Sequence, residues 1–323
     1  MTRFLVTGGA GFIGSNLTER LLKDGHLVRV LDDFSNGREE NLHFSPNLIQ
    51  NLEIIRGDIR DRSLCLKACE GVDYIFHEAA LGSVPRSIED PQTTNEININ
   101  GTLNLLWAAK ETGVKRFIYA ASSSAYGDKE DPSGKVIPKK ETMAPSPLSP
   151  YAVSKLTGEY YCQVFSQVYG LETVILRYFN VFGPRQDPHS MYAAVVPKFI
   201  TALLKGEPPV IFGDGEQSRD FTYIDNVVEA NLRACFAGPE AVGEVFNIAC
   251  GRRTTINELY RLIAQIIGSD LEPIYAPPRP GDVRHSLADT SKAENILGLK
   301  ELVDLETGLQ KTVVWYKEKM EEK

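Results

Sequence analysis

The sequence predicts an α/β protein built on a doubly wound parallel sheet, with a smaller α/β lobe toward its C-terminus. Three observations carry this. Short runs rich in Val, Ile, Leu and Phe alternate with longer helical stretches through the first half of the chain, the order that parallel strands joined by crossover helices require. Those runs lack polar alternation, as expected of strands buried on both faces. A glycine-rich turn separates the first run from the first helical stretch.

Taken in order, strands are expected at Phe4–Thr7, Val28–Asp32, Glu53–Gly57, Tyr74–His77, Arg116–Ala120 and Thr173–Arg177. Helices are expected at Ile13–Lys23, Ser63–Cys69, Thr94–Glu111 and Tyr151–Tyr169. From Gly127 to Pro150 the chain carries Pro132, Pro138, Pro145, Pro147 and Pro150, which reads as a long irregular loop bordering a functional site. After Phe179 the elements shorten and Pro and Gly increase. The expected division is therefore residues 1–178 as the dinucleotide-binding domain and 179–323 as a substrate lobe, with a return to the sheet near 225–250, around Glu244–Ile248.

A chain of 323 residues has room for both lobes and a buried core. Its net charge of -8 gives no electrostatic case for nucleic acid or an anionic membrane. No apolar run approaches the ~18–20 residues of a membrane span. Met1, Thr2 and Arg3 lead directly into an apolar strand, which is unlike a signal peptide. The five scattered cysteines fit a reducing cytoplasm, and cytoplasmic localisation is expected. Cys65 and Cys69 read as buried residues rather than metal ligands, so no metal is expected.

Gly8, Gly11 and Gly14 follow the first strand and open the first helix. Such a turn lets backbone approach a pyrophosphate, and the helix N-terminus supplies unpaired N–H donors with partial positive charge. Asp32 ends the second strand, 18 residues beyond Gly14. A carboxylate there accepts from ribose hydroxyls and repels a 2′-phosphate, favouring NAD over NADP. Asn36 and Gly37, in the next loop, are candidates for the same ribose. Asp58 and Ile59 follow the third strand, on the adenine side. Together these features describe a Rossmann dinucleotide site.

Tyr151 and Lys155, four apart at a helix start, share one helix face. A phenol titrates near ~10 and is a poor base at neutral pH, but a nearby ammonium and a positive nicotinamide would lower its pKa. Ser122, Ser123 and Ser124 stand just past a strand, where hydroxyls face the ligand crevice of α/β enzymes.

With these residues in place, the chain resembles the extended short-chain dehydrogenase/reductases, and more narrowly the UDP-hexose 4-epimerases. The likeness runs over nearly the whole chain: Gly8–Gly14, Asp32, Asp58, His77-Glu78-Ala79-Ala80, Asn98–Thr102, Ser122–Gly127, Tyr151–Lys155, Arg177–Asn180, Gly213–Gly215, Arg219–Phe221 and Arg279–Asp282. It implies that Tyr151 is the base, Lys155 its electrostatic partner and Ser122 the catalytic hydroxyl. It places Phe12, Ile13, Ala79, Ala80, Asn98 and Tyr178 along NAD. Asn180, Arg219 and Arg279 would meet the diphosphate of a UDP-sugar and Asp282 the uridine ribose. Gly82, Ser83, Ser123, Ser124, Val195 and Ser286 would lie on the substrate side. His77 is expected to be a packing residue, and His189 and His285 have no motif support as bases.

The implied reaction oxidises the sugar at C4, lets the 4-ketose turn over, and returns hydride to its other face. Ser123 and Ser124 stand where related dehydratases carry an acid pair, which disfavours dehydration. The small Ser286, and the stretch Leu81–Ser87, are similar to the branch acting on UDP-N-acetylglucosamine and UDP-N-acetylgalactosamine. UDP-glucose and UDP-galactose are further candidate substrates. A carboxylate-binding arginine at Arg86 or Arg185 would instead suit a UDP-glucuronate 4-epimerase or decarboxylase. The reading from another class is a non-catalytic NAD-sensing protein. The resemblance also implies a homodimer joined by a four-helix interface from Thr94–Glu111 and Tyr151–Tyr169.

Overall fold

The computed structural model describes residues 1–128, 135–188, 194–278, 283–300 and 303–321. Its centre is a seven-stranded parallel sheet. Six strands fall within residues 3–178: β1 (Arg3–Thr7), β2 (Leu27–Asp32), β3 (Leu52–Arg56), β4 (Tyr74–His77), β5 (Arg116–Ser122) and β6 (Glu172–Tyr178). Across the sheet the order is Val245–Ile248, β6, β5, β4, β1, β2, β3. The order reverses between β1 and β4, which pair through Thr7 and His77 at their C-terminal ends. In such sheets the crevice at the reversal binds the ligand.

Side-chain alternation divides the core between the two faces. Phe4 and Val6 of β1 join one cluster, Leu5 the other; Ile118 and Ala120 of β5 join the first, Phe117 and Tyr119 the second. Burial of each such Phe, Leu or Ile contributes about 1.5–3 kcal/mol. The strand β3 departs from the expectation of burial on both faces: it is the sheet's edge, and Ile54 is 48% exposed. The strand Val245–Ile248 pairs in parallel with β6, and the helix Ile224–Phe236 packs against β5 and β6. The later part of the chain thus supplies the outermost strand on that side.

The expected continuous helix Thr94–Glu111 is instead three joined segments, Pro91–Asn95, a wide-turn segment Glu96–Gly101, and Thr102–Thr112. The wide turn absorbs an extra residue, a feature often found at functional sites. The helix Pro150–Tyr169 opens on Ser149, whose hydroxyl accepts from the Ala152 N–H at 3.1 Å, with Pro150 as its first residue. It lies hard against the sheet because Gly158 has no side chain: a Cβ there would stand 2.1 Å from the Tyr119 hydroxyl. The proline-rich stretch leading into it is pinned. The Lys139 N–H donates to the Leu287 carbonyl at 2.8 Å, and Glu141 accepts from the Asn247 N–H at 2.8 Å.

Four of the five cysteines are buried, Cys65 and Cys69 among them. Burial pushes both of these thiols up to about 12, which leaves them inert. Among the described residues there is no metal-binding cluster of His, Cys, Asp and Glu, and no helix long and apolar enough to cross a membrane.

Candidate active site

The site begins at the turn after β1. Gly8 has φ +68°, and a Cβ there would lie 2.7 Å from the Ala79 backbone nitrogen. A Cβ at Gly14 would lie 2.2 Å from the Gly8 carbonyl oxygen. Both positions therefore exclude larger residues, and the helix Phe12–Lys23 starts directly behind the turn with Gly11 as its N-cap. Its first N–H groups are the donors an anion would use.

Asp32, 6% exposed at the end of β2, accepts from the Ala10 N–H at 2.9 Å and the Phe34 N–H at 2.8 Å. Burial raises its pKa despite these bonds. Each oxygen spends one lone pair on backbone, so the carboxylate is fixed in orientation and can still accept further donors. Gly8, Gly11, Asp32, Asn36, Gly37, Asp58, Ile59, Ala79 and Ala80 together line a cavity of about 100 Å³. Asp58 is paired there with the Arg60 guanidinium at 2.6 Å, which holds its carboxyl below the usual range.

This cavity opens into a second of about 450 Å³, which shares Gly8, Gly11, Asn36, Glu78 and Ala80 with it. The second is lined also by Phe12, Ile13, Gly14, Gly82, Ser83, Ser122, Tyr151, Lys155, Tyr178 and Asn180. A third, of about 420 Å³, shares Gly82, Ser83, Asn180 and Val181 with the second and is walled by Val195, Phe199, Gln217, Arg219 and Phe221. The three form one cleft along the C-terminal edge of the sheet.

Tyr151 and Lys155 face this cleft from the same turn of their helix, as the spacing predicts. The Ser122 side chain stands close enough to the Tyr151 phenol to favour its ionised form. Ser122 in turn accepts from the Ser124 N–H at 3.2 Å and the Ser124 hydroxyl at 2.9 Å. The Lys155 ammonium donates to the Ala120 carbonyl at 2.7 Å. Burial pulls it down to about 8, opposed by the charge of Glu78. The protein's own groups act on the Tyr151 phenol in both directions. Burial raises the Tyr151 pKa, Ser122 opposes this, and Glu78 adds to it.

Other expected residues are placed differently. Asn98 is 1% exposed, and it does not line these three cavities. Its amide is engaged by the Leu81 N–H at 2.8 Å and the Ser154 hydroxyl at 3.0 Å, so it braces the cleft wall from behind. Ser123, Ser124 and Ser286 also stand outside the lining; the Ser286 N–H donates to the Ser218 carbonyl at 3.0 Å. Arg279, Asp282 and His189 lie outside the described residues. His77 bonds Thr7 at 2.7 Å and Thr102 at 2.8 Å, and burial pushes it down to about 3, so it is a neutral packing residue. His285 bonds the Ser218 hydroxyl at 2.8 Å. Arg185 carries an ion pair to Glu19 at 2.5 Å, whereas Arg86 donates to the neutral Asn36 at 2.9 Å.

The residue that sequence reasoning passed over is Glu78. It lines both of the first two cavities, and the Tyr178 hydroxyl donates to it at 2.7 Å. A single acid between His77 and two alanines, at a strand's C-terminal end, was the available signal.

Comparison with known proteins gives the family of the chain. Residues 4–249 match the model of the NAD dependent epimerase/dehydratase family. The chain is 43% identical to a UDP-glucose 4-epimerase of Mycolicibacterium smegmatis, over 98% of this chain and 99% of that one. The UDP-glucose 4-epimerase of Thermotoga maritima, solved with UDP-glucose, superposes with a TM-score of 0.92 at 42% identity, covering 99% of this chain and 100% of that one. A UDP-N-acetylglucosamine 4-epimerase of Methanobrevibacter ruminantium, solved with UDP-N-acetylmuramic acid, gives 0.92 at 43%, covering 99% of each. The glycine turn that a Cβ would fill, the fixed Asp32 and the Tyr151–Lys155 wall fit a bound NAD, and the chain belongs to the NAD dependent epimerase/dehydratase family, with NAD as its cofactor.

Proposed function

We propose that this protein is a UDP-sugar 4-epimerase whose preferred pair is UDP-N-acetylglucosamine and UDP-N-acetylgalactosamine, with UDP-glucose and UDP-galactose as further substrates. The observation that carries the reading is the continuity of the cleft. A dinucleotide wall, a Ser122–Tyr151–Lys155 wall and a third cavity bearing Arg219 adjoin in that order.

Bound NAD supplies a reversible hydride acceptor for the sugar C4. Tyr151 takes the proton from the C4 hydroxyl and later returns it, and Ser122 favours the ionised phenol that takes it. Lys155 keeps a positive charge in the wall, anchored on Ala120. The sugar must turn over while its nucleotide stays fixed, so the grip belongs in the third cavity. There the planar guanidinium of Arg219 suits a diphosphate. Arg279 and Asp282 are proposed to complete it on the diphosphate and the uridine ribose.

The acetamido preference is supported by Gly82. It sits in the wall common to the second and third cavities, and an added Cβ would meet nothing within 4 Å. A glucuronate would need a cation near the turning sugar. Arg185 is already neutralised by Glu19, which leaves Arg86 as the candidate for that alternative.

We further propose a homodimer. Val153, Tyr160, Val164 and Val168 make an exposed apolar stripe along the helix Pro150–Tyr169, at the spacing of one helix face.

Purified protein incubated with each nucleotide sugar, without added cofactor, should interconvert the acetylated pair fastest. Turnover of UDP-glucuronate alone would replace the proposal with its alternative, and turnover of none would end it.

A further inference from the structure

The proposed mechanism leaves the acid Glu78 unused. Glu78 follows β4 at the C-terminal edge of the sheet, where its backbone N–H donates to the Thr7 carbonyl at 3.2 Å. The residue lines the second cavity with Tyr151 and Lys155, and the first with Asp32. It also belongs to a buried chain of hydrogen bonds. The Tyr178 hydroxyl donates to Glu78 at 2.7 Å, and Asn231 donates to that hydroxyl at 2.8 Å. Asn231 is fully buried in the helix Ile224–Phe236, so the acid is held from that helix through the Tyr178 hydroxyl.

Burial and one charge act on this acid, and it acts on two groups. Lys155 draws it toward the ionised form, while burial pushes it up to about 7. It in turn supports the Lys155 ammonium and disfavours ionisation of Tyr151. An acid that merely braced Tyr178 would need no place in the cleft wall, because the carboxamide of Asn231 already holds that hydroxyl.

We propose that Glu78 is a positioning residue that sets the redox poise of the bound cofactor, by placing one negative charge in the cleft wall shared with Lys155. The oxidised nicotinamide is positively charged and the reduced one neutral, so a carboxylate in that wall favours the oxidised form. It also balances the Lys155 ammonium, which would otherwise repel the same ring. The protein is thereby kept loaded with the form that can accept hydride. This inference rests on reading the Tyr151–Lys155 end of the cleft as the nicotinamide end.

The test is cofactor exchange in the holoprotein, read without any sugar. Wild type, Glu78→Gln and Glu78→Asp are equilibrated with an equal mixture of NAD and NADH and freed of unbound dinucleotide. The bound ratio is read from the absorbance and fluorescence of the reduced ring. Gln keeps the acceptor for Tyr178 but loses the charge, and Asp keeps the charge. The bound ratio should shift about tenfold toward NADH in Glu78→Gln, the scale of one charge acting across a partly screened cleft. In Glu78→Asp it should return most of the way to wild type. An unchanged ratio in Glu78→Gln, or equal ratios in the two variants, would overturn the proposal. Because no sugar is present, that result leaves the epimerase reading untouched, and an inactive wild type leaves this one untouched.

Discussion

The two ends of the cleft are built in different ways. The dinucleotide end takes its walls from consecutive strand ends: Gly8 after β1, Asp32 at the end of β2, Asp58 after β3, and Ala79 after β4. Parallel strands deliver these residues to one edge in chain order, so each lies close to where its neighbour predicts. The third cavity has no such order. Gly82, Asn180, Val195, Phe212, Arg219 and Ile256 come from separate segments, and two of its expected partners, Arg279 and Asp282, lie outside the described residues. One end is thus a property of the sheet, whereas the other is an agreement among loops. Loops placed on a rigid scaffold are where specificity diverges within a fold.

Three variants break or sharpen that contrast. The largest effect is expected at the junction of the two ends. Tyr151→Phe should lower kcat about a hundred- to ten-thousand-fold, as loss of a general base does, with the cofactor retained. Near wild-type turnover in steady-state assays would remove Tyr151 as the base. Next, Gly8→Ala adds a Cβ 2.7 Å from Ala79 backbone at φ +68°. The strain should cost about 1–3 kcal/mol and release NAD, seen as a lower thermal midpoint and a lower dinucleotide content after gel filtration. Undiminished NAD content would mean that the turn does not hold the pyrophosphate. The smallest of the three is Arg219→Ala. It should raise KM for the UDP-sugar about tenfold, with NAD content and thermal midpoint close to wild type. Loss of NAD in this variant would show that the two ends are not separable.

Much of the dinucleotide end was legible because its signals are local. A glycine turn, a strand-ending acid and a four-residue spacing on a helix each state their geometry within a few residues. The electrostatics were less legible. Lys155 was read as the electrostatic partner of the phenol, and its spacing did not announce that the ammonium donates to the carbonyl of Ala120, 35 positions away. Asn98 was read as facing the cofactor. It instead turns inward from the wide-turn segment Glu96–Gly101, whose extra residue a simple helical count does not anticipate.

The sequence by itself determined the parallel sheet, the dinucleotide turn and the Tyr151–Lys155 face, because each follows from periodicity or from a steric requirement acting within one element. Tertiary structure alone decided that Tyr178 links Glu78 to Asn231, that Glu19 neutralises Arg185, and that the Ser286 N–H meets the Ser218 carbonyl. Those pairings join residues separated by up to 166 positions. Their energies depend on burial and on which partner arrives, and neither is written in the local order of the chain.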